Sequence, residues 1–223
     1  MTAIFTPLIY FTFIVLVVFI LFNLFAFIRR ARHLKALRNQ YSILEVEGGI
    51  DSLKNIFKLL NPPFTLEIAV HQLGREVHSY IAVPKDKEDI VKSAGCKNVE
   101  DYNIYHTGGT HIGGTLIAKN DVEKNIDVLT DLLKSLDFSK VNDIGDGVVF
   151  QFVLGGKKGG KKWESNVRVL ASAPTPYQAK EILSTIKCDL PGYRWTEEKS
   201  ADFIKSVTYR KFDHGKVVVW TLY

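Results

Sequence analysis

The sequence predicts an α+β protein in which an N-terminal transmembrane helix precedes two tandem ferredoxin-like (βαββαβ-type) units. Three observations predict this class. A nearly continuous apolar run extends from Leu8 to Ile28. Two successive segments after it alternate strand-like and helix-like patterns in the ferredoxin-like order. With 46% hydrophobic and 12% aromatic residues, the chain is too apolar to be disordered.

The apolar run has the length of a membrane span, because a helix of 21 residues is about 30 Å long. A cleaved signal peptide would instead need basic residues before the run and small residues at its end. Asn23 is the strongly polar exception within the run; it either bonds a partner helix or is tolerated near the end of the span. We therefore predict a transmembrane helix with a short outer N-terminus over residues 1–28.

The net charge of +5 comes from one short cluster that follows the apolar run. Subtracting five basic residues from 29 leaves 24, which equals the number of acidic residues. The cluster predicts a basic juxtamembrane segment over residues 29–41 that contacts the lipid bilayer. It also predicts a single-pass protein of the plasma (inner) membrane, with its N-terminus outside and its C-terminal module in the cytoplasm. The five basic residues are Arg29, Arg30, Arg32, Lys35 and Arg38.

The first α+β unit is predicted over residues 42–106. Apolar residues at i, i+3, i+4 and i+7 indicate a helix over Asp51–Leu60. A two-residue turn at Gly74-Arg75 would join the next two strands, and Pro84 would end the second of them. The predicted strands are Ser42–Glu47, Thr65–Gln72, Glu76–Val83 and Asp101–His106, and the second predicted helix is Lys85–Ala94.

A glycine-rich linker over residues 107–114 is predicted to separate this unit from a second one over residues 115–223. The second unit shows the same order of elements, with a strongly amphipathic pattern in its first helix. The predicted helices are Val122–Leu136 and Tyr177–Ile186, and the predicted strands are Thr115–Ala118, Gly147–Leu154, Asn166–Ala173, Val207–Phe212 and Val217–Tyr223.

The loop Gly155–Lys162 contains part of a phosphate-binding pattern, but the Ser or Thr that would hold Mg²⁺ is absent and a strand follows instead of a helix. We interpret it as a basic hairpin loop. An alternative is electrostatic contact with nucleic acid or an acidic protein surface, which four lysines would support weakly. These lysines are Lys157, Lys158, Lys161 and Lys162.

Other candidate sites lack the pattern that their chemistry requires. The pairs His71/His78, predicted to face each other across the hairpin, and His106/His111 have no third ligand for zinc. Segment Asp143–Gly147 resembles a calcium loop without its terminal Glu and is predicted to be a turn. Two cysteines, Cys96 and Cys188, have no paired base. The sequence therefore predicts no catalytic residue, no cofactor and no metal.

Several segments resemble a membrane-anchored family of domains of unknown function associated with type IV secretion and conjugation-type ATPases. The resemblance rests on Gly74–Lys85, Val99–Tyr102, the Gly-Asp-Gly-x-x-x-Gln pattern from Gly145 to Gln151, and Asn166–Ala173 with Ala179 after it. It implies a place before or beside a DNA-translocating motor. The chain carries no Walker motif, so the resemblance implies an accessory or truncated form that does not hydrolyse ATP.

Taken together, these features predict a membrane-anchored, non-enzymatic scaffold or assembly subunit. The expected partners are a secretion or conjugation-type ATPase or further copies of the chain, since exposed sheet edges can pair with partners. The alternative is a membrane-tethered nucleic-acid-binding protein that uses the basic loop Gly155–Lys162.

Overall fold

A computed structural model describes residues 2–38, 40–47, 52, 56, 59–71, 77–99, 109–118, 123–157, 162–186 and 192–221. The chain divides into two compact units, Met1–Gln40 and Tyr41–Tyr223. We call the second unit the folded module.

The first unit consists of helix α1, Thr2–Arg38. Its large apolar side chains between Phe13 and Ile28 are all exposed. Asn23 donates a hydrogen bond from Nδ2 to the carbonyl oxygen of Phe19, 2.8 Å away, so its amide is satisfied within its own helix.

Within the described part of the chain, no helix combines the length and the apolarity that crossing a membrane requires. This finding contradicts the predicted transmembrane helix over residues 1–28. It equally contradicts the predicted single-pass location in the plasma membrane, with the N-terminus outside and the module in the cytoplasm.

The folded module contains ten strands and four α-helices whose bounds the structure describes, and Ser52, Ile56 and Leu59 are helical as well. A 3₁₀ turn, Lys85–Lys87, joins the third strand to the first of these helices. The strands are β1 Tyr41–Val46, β2 Phe64–His71, β3 Val77–Pro84, β4 Cys96–Asn98, β5 Thr110–Ala118, β6 Glu123–Asn125, β7 Gly147–Lys157, β8 Lys162–Ala173, β9 Tyr193–Glu198 and β10 Val218–Thr221, and the helices are α2 Glu88–Ser93, α3 Ile126–Lys134, α4 Pro176–Ile186 and α5 Ala201–Thr208.

All ten strands belong to one sheet, with the order β4-β1-β3-β2-β7-β8-β10-β6. Strand β8 is long enough to pair with two strands on the same side: β10 along its first residues and β5 along its later ones. Strand β9 then pairs with β5. All of these pairs are antiparallel except β6 with β10.

The prediction of two tandem ferredoxin-like units is therefore wrong. Strands β2 and β7, one from each predicted unit, pair along eight residues, from Phe64 opposite Leu154 to His71 opposite Gly147. Backbone hydrogen bonds thus join the two segments into one sheet. Both strands are rich in buried apolar residues, which makes them suitable for the centre of a sheet covered on both faces.

Part of the glycine-rich segment that was predicted to be a linker lies in the sheet. Gly113 and Gly114 belong to β5, where they allow close packing. A Cβ atom at Gly113 would lie 2.4 Å from the carbonyl oxygen of Val169, and one at Gly114 would lie 2.3 Å from the ring of Trp195. These glycines are therefore required for the approach of neighbouring groups.

Other elements agree with the sequence to different degrees. Helix α4 confirms the helix predicted over Tyr177–Ile186. The predicted strand Val207–Phe212 is wrong, because Val207 and Thr208 end helix α5. The predicted helix Val122–Leu136 is shorter and is preceded by β6. Most of the predicted helix Asp51–Leu60 lies outside the described residues, but Ser52, Ile56 and Leu59 are helical as predicted. The predicted strand Asp101–His106 lies entirely outside them.

The two faces of the sheet differ in composition. The larger apolar cluster lies on one face, where Leu66, Phe150 and Val167 pack with buried residues of α4. The second face carries a smaller cluster that includes Leu170 of β8 and Phe203 and Val207 of α5. This smaller cluster leaves room for polar groups beneath α5.

Candidate functional site

A line of polar residues crosses the second face of the sheet at one level. In antiparallel pairs, residues directly opposite each other point to the same face. The register places Glu67 opposite both Tyr80 and Gln151, then Gln151 opposite Arg168, and Arg168 opposite Thr115. We call this line the polar row; from one side to the other it consists of Glu45, Tyr80, Glu67, Gln151, Arg168, Thr115 and Thr196.

The central residues of the polar row are almost completely buried. Glu67 and Gln151 have no exposed surface, and Thr115 and Arg168 expose 1% and 2%. Burying charged groups is unfavourable unless hydrogen bonds or opposite charges replace the lost water. The partners of these groups therefore determine what the row can do.

Glu67 receives a hydrogen bond on each of its carboxylate oxygens. Gln151 Nε2 donates to Oε1 at 2.7 Å, and Arg210 Nη2 forms an ion pair with Oε2 at 2.8 Å. Arg210 lies in the turn after α5, 143 residues further along the chain. The ion pair thus fastens the segment after α5 to the middle of the sheet.

Two other members of the row bind backbone carbonyl groups at the C-terminal end of α5. Gln151 Nε2 donates to the carbonyl oxygen of Val207 at 2.9 Å, and Arg168 donates to those of Ser206 at 3.2 Å and Lys211 at 2.7 Å. The last carbonyl groups of a helix lack partners within it and carry partial negative charge. The carbonyl oxygens of Val207 and Ser206 also accept the backbone N–H groups of Arg210 and Lys211, and the donors of the row complete the cap of this helix end.

Asn166 fixes the turn that follows. Its side chain donates to the carbonyl oxygens of Asp213 and Lys216 and accepts from the backbone N–H of Asp213, at 2.6–2.8 Å. Asn166 Oδ1 also accepts from Arg168 Nη2 at 3.0 Å. One amide thus connects the polar row to the turn before β10.

A cavity of about 240 Å³ lies beside the row, at the N-terminal end of α5. Glu198 stands at its wall, where it accepts from Thr115 Oγ1 at 2.9 Å and from Lys216 Nζ at 2.6 Å. Other lining residues are Arg168, Phe203 and Asp213. The cavity is polar, and two of its charged lining residues, Glu198 and Lys216, bond to each other.

At the other end of the row, Tyr80 stacks on the ring of His78, with 5.9 Å between the ring centroids. His78 Nδ1 lies 2.8 Å from Glu45 Oε1. Burial, together with the negative charges of Glu45 and Glu67, raises the pKa of Tyr80 from 10.0 to about 12. The phenol therefore keeps its proton in the folded state to a higher pH than in the unfolded chain.

This shift predicts a loss of stability in alkaline solution. Between pH 10 and 12 the unfolded chain releases the Tyr80 proton while the folded chain retains it, so the free energy of unfolding falls as pH rises through this window and is unaffected by Tyr80 below it. Urea denaturation at several pH values measures the effect. In the Tyr80→Phe protein, the free energy of unfolding should fall less over this pH range than in the wild-type protein. An equal fall in both proteins would show that Tyr80 does not cause it.

The structure separates the histidine pair that sequence spacing suggested. The strand register sets Val70 opposite Val77, so His78 lies opposite Ala69, whereas His71 lies opposite Gly147 of β7. The prediction that they face each other is therefore wrong. His111 lies in β5 opposite Ser172, and His106 is outside the described residues.

The other segments considered as metal or thiol sites have structural partners. Asp146 Oδ2 accepts from the backbone N–H groups of Asn142 and Asp143, which confirms the turn predicted there. Burial raises the pKa of the Cys96 thiol, so the reactive thiolate is disfavoured. Cys188 is outside the described residues. Across the described ranges, no group of three or more His, Cys, Asp or Glu residues is arranged to hold a metal ion.

Of the four lysines in the predicted contact loop, Lys158 and Lys161 lie outside the described residues. Lys157 pairs with Trp163 at the end of the β7–β8 hairpin, and Lys162 is half-buried opposite Thr221. Nucleic-acid binding by this loop stays a prediction. Among the predicted membrane-flanking residues, Arg29 and Arg32 are exposed on α1, and Arg30, Lys35 and Arg38 belong to the same helix.

Sequence reasoning missed the polar row as a site. Its signal is a charged or amide residue with an apolar residue on each side in the sequence, as at Glu67, Gln151 and Arg168. Gln151, Asn166 and Arg168 also belong to segments that carry the resemblance described above. Comparison of the chain with protein-family models, characterised proteins and solved structures finds no match. The fold and site thus define an α+β module with a buried polar row, and the family resemblance stays a prediction.

Proposed function

We propose that the protein is a non-enzymatic assembly subunit in which α1 binds apolar helices of protein partners and the folded module is the part that this binding positions. The observation that carries the proposal is the apolar surface of α1. Every large apolar side chain from Phe13 to Ile28 is exposed, by 37% at Val17 and by 70% at Phe22 and Phe27.

This surface is much larger than a single exposed side chain, which would need no explanation. Covering one large apolar side chain stabilises a complex by roughly 1.5–3 kcal/mol. Contiguous apolar surfaces of this kind mark interaction sites. Because α1 is apolar around its circumference, it offers more than one face to its partners.

The folded module provides a second argument for the same proposal. The central residues of its polar row bond to α5 and to the turn after it, as Gln151 does with Val207 and Glu67 with Arg210. With the bond between Gln151 and Glu67, these bonds hold neighbouring strands of the ten-stranded sheet in register. We therefore assign the sheet of the module the role of a rigid component that an assembly carries.

The resemblance described above makes a secretion or conjugation-type ATPase the first partner to seek. Further copies of this chain are the second. Capture of the full chain in a mild detergent, with identification of the proteins that accompany it, distinguishes these two partners.

Two triple variants of α1 test the proposal and serve as controls for each other. At 100° per residue, Phe13, Ile20 and Leu24 share one face of α1, and Val18, Phe22 and Phe25 share the opposite face. Replacing either set with alanine preserves the helix. If a partner packs on one face, the matching triple variant should reduce the captured partner at least about tenfold, which corresponds to 1.4 kcal/mol.

The opposite triple variant should retain the partner, since the contacting face is intact. Size-exclusion chromatography of the wild-type chain in the same detergent provides the second measurement. A monomer without captured proteins, unchanged by either variant, would contradict the proposed function.

A further inference from the structure

Helix α5 is held to the sheet unevenly along its length. At its C-terminal end, Gln151 and Arg168 bind carbonyl groups, and Arg210 binds Glu67. At its N-terminal end, a cavity lined by Thr115 and Phe203 lies beside the helix, and the ring of Phe203 packs against Gly113 of β5. The polar attachment is therefore concentrated in the last turn of the helix and in the turn that follows.

The apolar contact beneath α5 is small. It comprises six buried residues, of which only Phe203 and Val207 belong to the helix. Helix α4, on the opposite face, instead buries four residues in the much larger cluster. Regions with few buried apolar contacts open locally before the core does.

Arg210 is held in a conformation that a residue with a side chain rarely adopts. Its φ is +53°, and it occupies the position after the helix where glycine is usual. The N–H of Lys211 bonds to the carbonyl oxygen of Ser206, and that of Arg210 to the carbonyl oxygen of Val207, which is the Schellman pattern. An arginine here stores backbone strain that its bond to Glu67 must offset.

The ends of this segment are fixed independently of α5. Glu198, just before it, is held by Thr115 and Lys216, and Asp213, just after it, is held by Asn166. The segment 201–212 thus lies between two anchored points and is fastened by polar groups in its second half, from Ser206 to Lys211.

We propose that residues 201–212 form a displaceable cover over the polar row, fastened by the ion pair between Glu67 and Arg210. When the cover opens, the cavity and the buried row join into one polar groove. Opening also releases the left-handed backbone of Arg210. This cover goes beyond the proposed function, because it involves only the folded module and does not depend on α1.

Hydrogen exchange of the full chain, read by mass spectrometry, tests the cover. In the wild-type protein, amides of residues 203–211 should exchange at least tenfold faster than those in the middle of β7 and β8 and than those of α4. Equal exchange in the cover and the strands would overturn the proposal, as would exchange in α4 as fast as in the cover. This comparison needs no variant.

Two variants test the fastening. Glu67→Gln keeps the shape of the side chain and removes its charge, so exchange in residues 203–211 should accelerate at least tenfold more, with the middle of β7 unchanged. Lys140→Met is the matched control, because it breaks the exposed pair between Lys140 and Glu181 on α4. Acceleration of all segments equally by Glu67→Gln would overturn the fastening role of the ion pair.

Discussion

Replacing Arg210 with methionine is expected to lower the free energy of unfolding of the folded module by about 3–5 kcal/mol. Methionine keeps most of the length of the side chain and removes the charge. Glu67, which has no exposed surface, would then remain as a buried carboxylate with only the amide of Gln151 to replace the ion pair. Urea denaturation followed by far-UV circular dichroism measures the change.

The backbone at Arg210 gives this prediction a second part. Arg210→Gly also removes the charge, but glycine adopts a positive φ without the steric penalty of about 1–2 kcal/mol that a side chain causes. Arg210→Gly should therefore be less destabilising than Arg210→Met by about 1 kcal/mol. If both variants lose the same free energy, the left-handed conformation at this position carries no strain.

A double variant separates the ion pair from the cost of leaving a charge buried. Glu67→Gln combined with Arg210→Met leaves no charge at this point, so the double variant should be more stable than Arg210→Met alone. Lys205→Met is a suitable control, since the pair between Lys205 and Asp202 is exposed and should contribute less than about 1 kcal/mol. Additive effects of the two core substitutions would show that they do not interact.

The sequence was sufficient for elements whose pattern is local. The helix predicted over Tyr177–Ile186 is found in α4, and the mostly apolar strand predicted over Gly147–Leu154 lies in the central strand β7. In both, neighbouring residues along the chain determine the structure. Helix α5 is shorter than α4, and Val207 and Tyr209 at its end are residue types that also favour a strand, which explains the wrong prediction there. Ser200, just before the helix, is a residue type that often begins one.

The arrangement of the strands was not predictable in the same way. Adjacent strands in sequence usually pair with each other, which favoured two separate units. The pairing of β2 with β7 joins residues about 80 positions apart, and nothing in either strand specifies its partner, since both are buried apolar runs. Long-range pairing is selected by the packing of the whole core.

The polar row depends on this long-range register and was therefore missed. Glu67, Gln151 and Arg168 come from three strands, and only the sheet places them side by side. Arg210 was less predictable still. A glycine is the usual sign of a left-handed helix end, and the sequence has arginine there because its side chain reaches Glu67.

Replacing Trp220 with alanine is expected to destabilise the module by about 3–5 kcal/mol. Trp220 is fully buried in β10 and makes an edge-to-face contact with Phe152 at 5.4 Å between ring centroids. Alanine would leave a large cavity between β7, β8 and β10, which a close-packed interior fills only in part. Tyr177→Ala is the control, because Tyr177 is 76% exposed and its loss should change stability by less than about 0.5 kcal/mol.

The indole N–H of Trp220 allows packing and hydrogen bonding to be separated. It donates to Ser165 Oγ at 2.7 Å in the interior. Ser165→Ala leaves the ring in place but removes its acceptor, so the loss should be about 1–3 kcal/mol, the cost of a buried unsatisfied donor. Trp220→Ala removes the donor and the ring together, and Ser165→Ala should then cost much less in that background than in the wild-type protein. If Ser165→Ala costs the same in both backgrounds, the hydrogen bond contributes nothing, and the stabilisation by Trp220 comes from the packing of its ring alone.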